Sequence, residues 1–293
     1  MSYLFYIVDV FAKGRYSGNQ LAVVICFKTL SDDVMQKIAA ETNYSETTFV
    51  MPVPESDGGY RVRIFTPARE IAFAGHPILG TAWVIRQHVL PANTTTVKLN
   101  LEVGQIPVSF EHSAAGELVW FLAPPAQLGA QCEPQPMATA LGLSLDDIDE
   151  AAPIQQVSAG VTATMVPVRS LDALQRSRLD LAAFAPLAQQ GFAPLIYVFC
   201  RETYDPGNHL SVRFFFEAHG VREDPATGNG AAFLGTYLLQ HGLFGDNKLS
   251  LRIEQGRSLQ RDSLVMLRAS NTDAGQQVYV GGQVVATVQG ELL

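Results

Sequence analysis

Two stretches of the chain repeat one another. Phe73-Ala-Gly-His-Pro-Ile-Leu-Gly-Thr81 and Gly228-Asn-Gly-Ala-Ala-Phe-Leu-Gly-Thr236 superpose on their Leu-Gly-Thr triplets, which also pairs Gly75 with Gly230. The two copies lie 155 residues apart in a chain of 293, close to half its length. Each is a glycine-bearing turn running into an apolar segment of helical length. A helix start of this kind leaves backbone N–H groups without intrahelical partners, and such groups bind anions. One copy per half predicts a pseudo-twofold protein whose two helix starts face each other across a cleft and hold one small anionic ligand.

The length suits one large or two medium domains. With 47% hydrophobic and 16% charged residues, the composition is that of a packed core rather than of disorder. A net charge of −8, with no run of Lys or Arg, argues against a nucleic-acid partner. Backbone amides can still hold a carboxylate in an acidic protein. Cys26, Cys132 and Cys200 are odd in number and widely spaced, which indicates neither a disulfide framework nor a zinc site. The first residues lack the basic start and apolar run of a signal peptide. No stretch approaches ~18 apolar residues, so the expectation is a cytoplasmic protein without membrane spans.

Strand patterns are expected at Tyr3–Val10, Leu21–Phe27, Glu46–Val53 and Tyr60–Phe65, the last alternating Val62 and Ile64 with Arg61 and Arg63. Ser31 with Asp32 and Asp33 reads as an N-cap and acidic first turn. Pro77 reads as a first helical residue, followed by a buried helix through Val89. A hairpin is expected around Gly104. Leu118–Leu122 is read as opening the second half, before Pro124-Pro125. Further strands are expected at Thr164–Val168, Leu195–Phe199, Leu210–Phe216, Leu249–Ile253, Leu264–Leu267, Val278–Val280 and Val284–Val288, the last two joined by a turn at Gly281-Gly282. Helices are expected near Leu179–Gln190 and Gly230–Gln240. No βαβ alternation is present, which excludes a doubly wound sheet. The expected class is α+β: two pseudo-symmetric lobes, each a curved, mostly antiparallel sheet around a central helix. The expected lobes are residues 1–120 joined by 277–293, and residues 121–276.

Three residues are candidates for chemistry. Glu46 begins an apolar strand between the hydroxyls of Ser45 and Thr47, which can orient a carboxylate, and an apolar surround raises its pKa toward that of a usable proton carrier. A glutamate at a strand edge is more often merely solvated, and the flanking hydroxyls weigh against that. His76 heads the first helix, where the positive helix end favours a neutral, hydrogen-bonding ring over a capping or packing role. Asp224 lies in Arg222-Glu-Asp-Pro-Ala-Thr-Gly-Asn-Gly230. Asp-Pro is a common turn opener, yet this turn aims the carboxylate at the loop that starts the second helix. Glu223 is expected to be the solvent-facing neighbour.

Other chemistries fail on their motifs. Gly228-x-Gly230-x-x-Phe233 lacks the last small residue of a dinucleotide fingerprint, and no Walker loop or His-Glu-x-x-His occurs. Ser158 has Gln156 where a nucleophile elbow needs glycine. No cysteine lies within ten residues of either glycine turn, which excludes an epimerase built on two thiols.

Gly18-Asn19 before an apolar strand, Ser45-Glu46-Thr47, Phe65-Thr66-Pro67, Phe73-Ala-Gly-His-Pro77, Glu223-Asp-Pro-Ala-Thr-Gly228 and Glu254-Gln-Gly256, in this order, resemble the phenazine-biosynthesis PhzF-like isomerases along essentially the whole chain. The resemblance implies the diaminopimelate-epimerase-like fold, an active site between two lobes, a homodimer, and no metal or organic cofactor. It implies a reaction like that of trans-2,3-dihydro-3-hydroxyanthranilate isomerase, in which Glu46 would move a proton from C3 to C1 of the ring. His76 and Asp224 would support the hydroxyl and amine, and Ser45, Gly75, Gly228, Asn229 and Gln255 would contribute to substrate binding. Two positions depart from the family's pattern: Gln20 stands where proline is usual, and Asn229 where serine is common. Two alternatives remain beside the single-glutamate isomerase: an epimerase of the same fold using Glu46 and Asp224 as opposed bases, and a non-catalytic binder of small carboxylates.

Overall fold

The computed structural model describes residues 3–91, 93–113, 116–216, 221–245, 247–273 and 275–293. The chain divides into two units, residues 1–122 with 281–293, and residues 123–280. Leu118–Leu122, read as the opening of the second half, belongs to the first unit, and the crossing follows it at Ala123.

The first unit contains β1 (Tyr3–Val10), β2 (Asn19–Ile25), α1 (Asp32–Thr42), β3 (Glu46–Val50), β4 (Tyr60–Phe65), β5 (Glu70–Ile71), α2 (Gly75–His88), β6 (Thr96–Leu101), β7 (Gly104–Ser113) and β8 (Gly116–Leu122). The second contains β9 (Gln127–Cys132), α3 (Pro134–Ala140), β10 (Ile154–Ala159), β11 (Val161–Pro167), α4 (Leu171–Arg176), α5 (Leu181–Gln189), β12 (Leu195–Cys200), β13 (Leu210–Phe216), β14 (Val221–Asp224), α6 (Gly228–His241), β15 (Lys248–Gln255) and β16 (Ser263–Thr272). β17 (Gly275–Gly282) then leads back to β18 (Val284–Leu292) of the first unit.

Pairing reveals the repeat. In the first unit β18 lies beside β1, and the order runs β1–β2–β3–β4–β6–β7–β8, with β5 attached to β4. In the second, β9 lies beside β10, and the order runs β10–β11–β12–β13–β15–β16, with β14 attached to β13. The parallel steps fall at matching places: β2/β3 and β4/β6 in one, β11/β12 and β13/β15 in the other. All the other pairings in these orders are antiparallel. α2 and α6 then occupy the same place in the two topologies.

Both helices are apolar around their circumference, a pattern stable only when every face is covered. α2 packs on β1, β2, β3, β6, β7, β8 and β18, so its sheet curls around it, and α6 packs on β10, β11, β15 and β16. Close approach explains the glycines within them. A Cβ on Gly80 would lie 2.6 Å from Leu21 Cδ2, and one on Gly235 would lie 2.8 Å from Val278 Cγ1. The loss of helix propensity, ~1 kcal/mol per glycine relative to Ala, is offset by this packing. Pro77 is the third residue of α2 rather than the first, still within the turn whose N–H groups need no intrahelical acceptor. No helix among the described residues is long and apolar enough to cross a membrane.

Other expectations shift locally. β3 stops at Val50 rather than Val53. Ser31 takes the N-cap position of α1 without a side-chain cap bond. Gly281 and Gly282 make no turn: both lie in β17, where a Cβ on Gly281 would overlap the Trp120 ring and come 2.8 Å from the Val119 carbonyl oxygen. Neither neighbour has a flexible end to yield. Gly281→Ala is therefore expected to lower unfolding free energy by about 2 kcal/mol in urea titration. Gly290→Ala, with nothing near its Cβ position, is expected to leave it within about 0.5 kcal/mol.

Candidate active site

The site residues of the first unit are brought together by strand and helix starts. Glu46 opens β3, and His76 is the second residue of α2. Their side chains are 14% and 6% exposed, and Glu46 Oε2 stands 3.3 Å from His76 Nε2. The other face of the imidazole system is equally engaged, with His76 Nδ1 3.3 Å from Asn19 Nδ2 at the head of β2. Asn19 was legible only as part of Gly18-Asn19; its contact with His76 was not.

Burial holds the His76 pKa down at about 3, and a hydrogen bond to the Gln20 backbone works in the opposite direction without cancelling it. The ring is neutral at ordinary pH, as expected, although desolvation is the leading cause. A neutral imidazole carries one N–H. With Nδ1 accepting from Asn19, Nε2 carries the proton and faces Glu46 Oε2 at 3.3 Å, where it suits an ionised carboxylate. With the proton on Nδ1 instead, Nε2 presents a lone pair that suits a protonated Glu46. The ring can thus meet Glu46 in either protonation state without acquiring charge.

Ser45 is half-buried beside Glu46. Thr47 does not orient the Glu46 carboxylate: strand alternation turns it away, and its Oγ1 lies 2.8 Å from Thr42 Oγ1 of α1. Thr48, back on the Glu46 side, shares a 2.7 Å hydrogen bond with Thr81 of α2 and fixes the strand to the helix. Gly75 is buried as the first residue of α2, after Ala74, whose side chain provides no cap.

The second unit builds a different helix start. Thr227 holds the N-cap position of α6 but makes no capping bond; its hydroxyl donates to Asp224 Oδ2 and accepts from Gln255 Nε2. Gln255, at the end of β15, is 2% exposed and braces the same turn. Its Oε1 accepts from the Thr227 N–H at 3.1 Å, and its Nε2 donates to the Asp224 carbonyl at 2.9 Å. Gln255 therefore spends its amide on the loop rather than presenting it to a ligand. Gly228 is buried, and Asn229 is half-buried with its Oδ1 shielded and without a hydrogen-bond partner. Tyr197 of β12, absent from the sequence reading, packs its ring where a Cβ of Gly230 would be. Its hydroxyl is likewise buried without a hydrogen-bond partner. Glu223 is not solvent-facing: it is 8% exposed and forms a two-point ion pair with Arg213 at 2.6 and 3.0 Å.

Thus α2 and α6 both begin without a side-chain cap, each beside a carboxylate. Among the described residues no cluster of three or more His, Cys, Asp or Glu side chains is placed to hold a metal ion.

Residues 8–290 match the PhzC-PhzF family, described as phenazine biosynthesis-like protein. The chain belongs to this family. It is 36% identical to an uncharacterized isomerase of Pasteurella multocida, over 99% of this chain and 94% of that one. It is 34% identical to trans-2,3-dihydro-3-hydroxyanthranilate isomerase of Pseudomonas aeruginosa, over 93% and 91%. The phenazine biosynthesis protein of Bacillus anthracis, PhzF family, shares the fold with a TM-score of 0.90 at 25% identity, over 100% and 99% of the two chains. With relatives of this kind along its whole length, this PhzF-family protein is an isomerase of the α+β class expected from the repeat.

The buried neutral His76 has a consequence for stability. Its folded pKa of about 3 lies below the ordinary 6.5, so between these values the unfolded chain binds a proton that the folded protein excludes. The His76 contribution is therefore fully present above about pH 6.5 and is lost as pH falls toward 3, with a limiting slope of about 1.4 kcal/mol per pH unit. His76→Gln should flatten the stability profile by about one proton across that window, measured by urea titration at successive pH values.

Proposed function

We propose that this isomerase moves a proton within a small, carboxylate-bearing, amino acid-like substrate through one glutamate, Glu46, without metal or organic cofactor. The observation that carries the reading is the Glu46–His76 contact. It couples a lightly exposed carboxylate to a ring that burial keeps neutral. A proton carrier alternates between acid and base, and its neighbour must tolerate both states. The two hydrogen-bond arrangements open to His76 meet that need. In this proposal Glu46 takes a proton from carbon beside an unsaturated or carbonyl-like system and returns it to another carbon on the same face. His76 and Asp224 support the substrate's polar substituents, and amides near Gly75 and Gly228 hold its carboxylate, with Ser45 and Asn229 nearby. The working assembly, as the resemblance implies, is a homodimer.

The two-base epimerase fits less well. Asp224 is bound through its carboxylate to Thr227 and through its carbonyl to Gln255, which suits a fixed support better than a second mobile base. Proton exchange in heavy water separates the readings: a single-face shuttle incorporates deuterium with retention, an epimerase with inversion.

Glu46→Gln keeps shape and hydrogen bonding while removing the base, so turnover should fall by roughly two to four orders of magnitude, with little change in ligand affinity. Near-normal turnover in this variant would overturn the reading. Asn229 occupies the place of the family's common serine, and an amide offers a different set of donors and acceptors at the cost of pocket volume. Asn229→Ser is expected to shift preference among cyclic amino acids toward trans-2,3-dihydro-3-hydroxyanthranilate while Glu46-dependent exchange persists, as measured by kcat/KM across a substrate panel.

A further inference from the structure

Glu223 and Asp224 are consecutive on β14, and a strand sends consecutive side chains to opposite faces. Asp224 turns to Thr227 at the start of α6. Glu223 turns the other way, onto Arg213 of β13, two residues from its register partner Phe215 and so on the same face. The pair is 7% and 8% exposed. Ser258 donates a third hydrogen bond to Glu223. Arg213 also donates through Nη1 to the Ser177 carbonyl at 2.6 Å, beyond the last turn of α4, and stacks on Phe215 at 4.8 Å.

Burying two charges is costly, and an apolar pair of similar volume usually gives equal or greater stability. The ion pair therefore calls for a reason other than stability. Its position supplies one. A cavity of about 260 Å³, lined by Arg213, Gln255, Ser258 and Tyr204 among others, opens beside this brace. Two of the side chains that hold the turn of Asp224, Arg213 and Gln255, thus border open space. Arg213 holds it from Glu223, while Gln255 holds the Asp224 carbonyl and the Thr227 N–H.

We propose that the Arg213–Glu223 pair is a positioning device that fixes the Asp224 carboxylate at the start of α6. It rests on the reading of Asp224 as a site residue given above. Arg213 and Glu223 touch no substrate in this account; they act through the backbone of β14. A displacement of the order of 1 Å at a supporting group is enough to cost about 100-fold in rate.

The test separates positioning from stability. The double variant Arg213→Met/Glu223→Leu replaces the charges with apolar side chains and should keep Tm within about 3 °C of the parent. Its amides at 224–230 should nonetheless exchange with deuterium about tenfold faster. With trans-2,3-dihydro-3-hydroxyanthranilate as probe, kcat should fall about 100-fold with KM within about threefold. Glu223→Gln, which keeps shape, should show the same changes to a lesser degree, and Arg213→Lys should restore part of the rate. A double variant with parental exchange and parental turnover would overturn the proposal, as would Glu223→Gln with parental exchange if the double variant does not fold. Amide exchange is read whether or not the probe is turned over. Asp224→Asn serves as the control: full activity there refutes the role of Asp224, while exchange still reports on the brace.

Discussion

A helix that is apolar on all sides must be enclosed, and that requirement organises both units. Enclosure of α2 and α6 calls for a sheet long enough to curl and for glycines where strands approach the helix axis. It also brings each helix start close to strand ends, where β3 delivers Glu46 and β14 delivers Asp224. First-turn amides have no acceptors inside the helix. Here neither N-cap side chain caps them, although Thr227 is of a type that commonly does. Its hydroxyl goes to Asp224 instead. In the proposed reading, the helix start left open in this way receives the substrate's carboxylate.

Much of this was legible in the sequence because apolar periodicity and glycine placement are local signals. The repeated Leu-Gly-Thr segments located both central helices, and Val62 and Ile64 marked β4. What stayed hidden had weak local signal. β9, Gln-Leu-Gly-Ala-Gln-Cys, is mostly exposed and carries few apolar residues. β10 begins Ile-Gln-Gln, with Gln155 buried because its amide serves the Gly129 carbonyl. Gly281-Gly282 has the composition of a turn, and only the Trp120 ring against it explains a straight strand. Glu223 looked like surface because its partner, Arg213, lies ten residues away across a hairpin. Of the candidate residues, the structure brings Glu46 and His76 together and joins Asp224 to Thr227, while the contacts of Asn19, Tyr197 and Gln255 are with residues distant in sequence.

The two helix starts are alike in topology and unlike in chemistry, and the difference bears on mechanism. Glutamate has one more rotatable bond than aspartate, and Glu46 faces a ring that can donate or accept. Asp224 has the shorter side chain, takes a hydroxyl from Thr227, and has its own carbonyl tied to Gln255. Two opposed bases working in turn would need comparable freedom to gain and lose a proton. The structure instead pairs an adaptable carboxylate with a braced one. A fold with two equivalent helix ends is suited to symmetric two-base chemistry. In this chain the surroundings of the two carboxylates differ, and the proposed division into one carrier and one support rests on that difference.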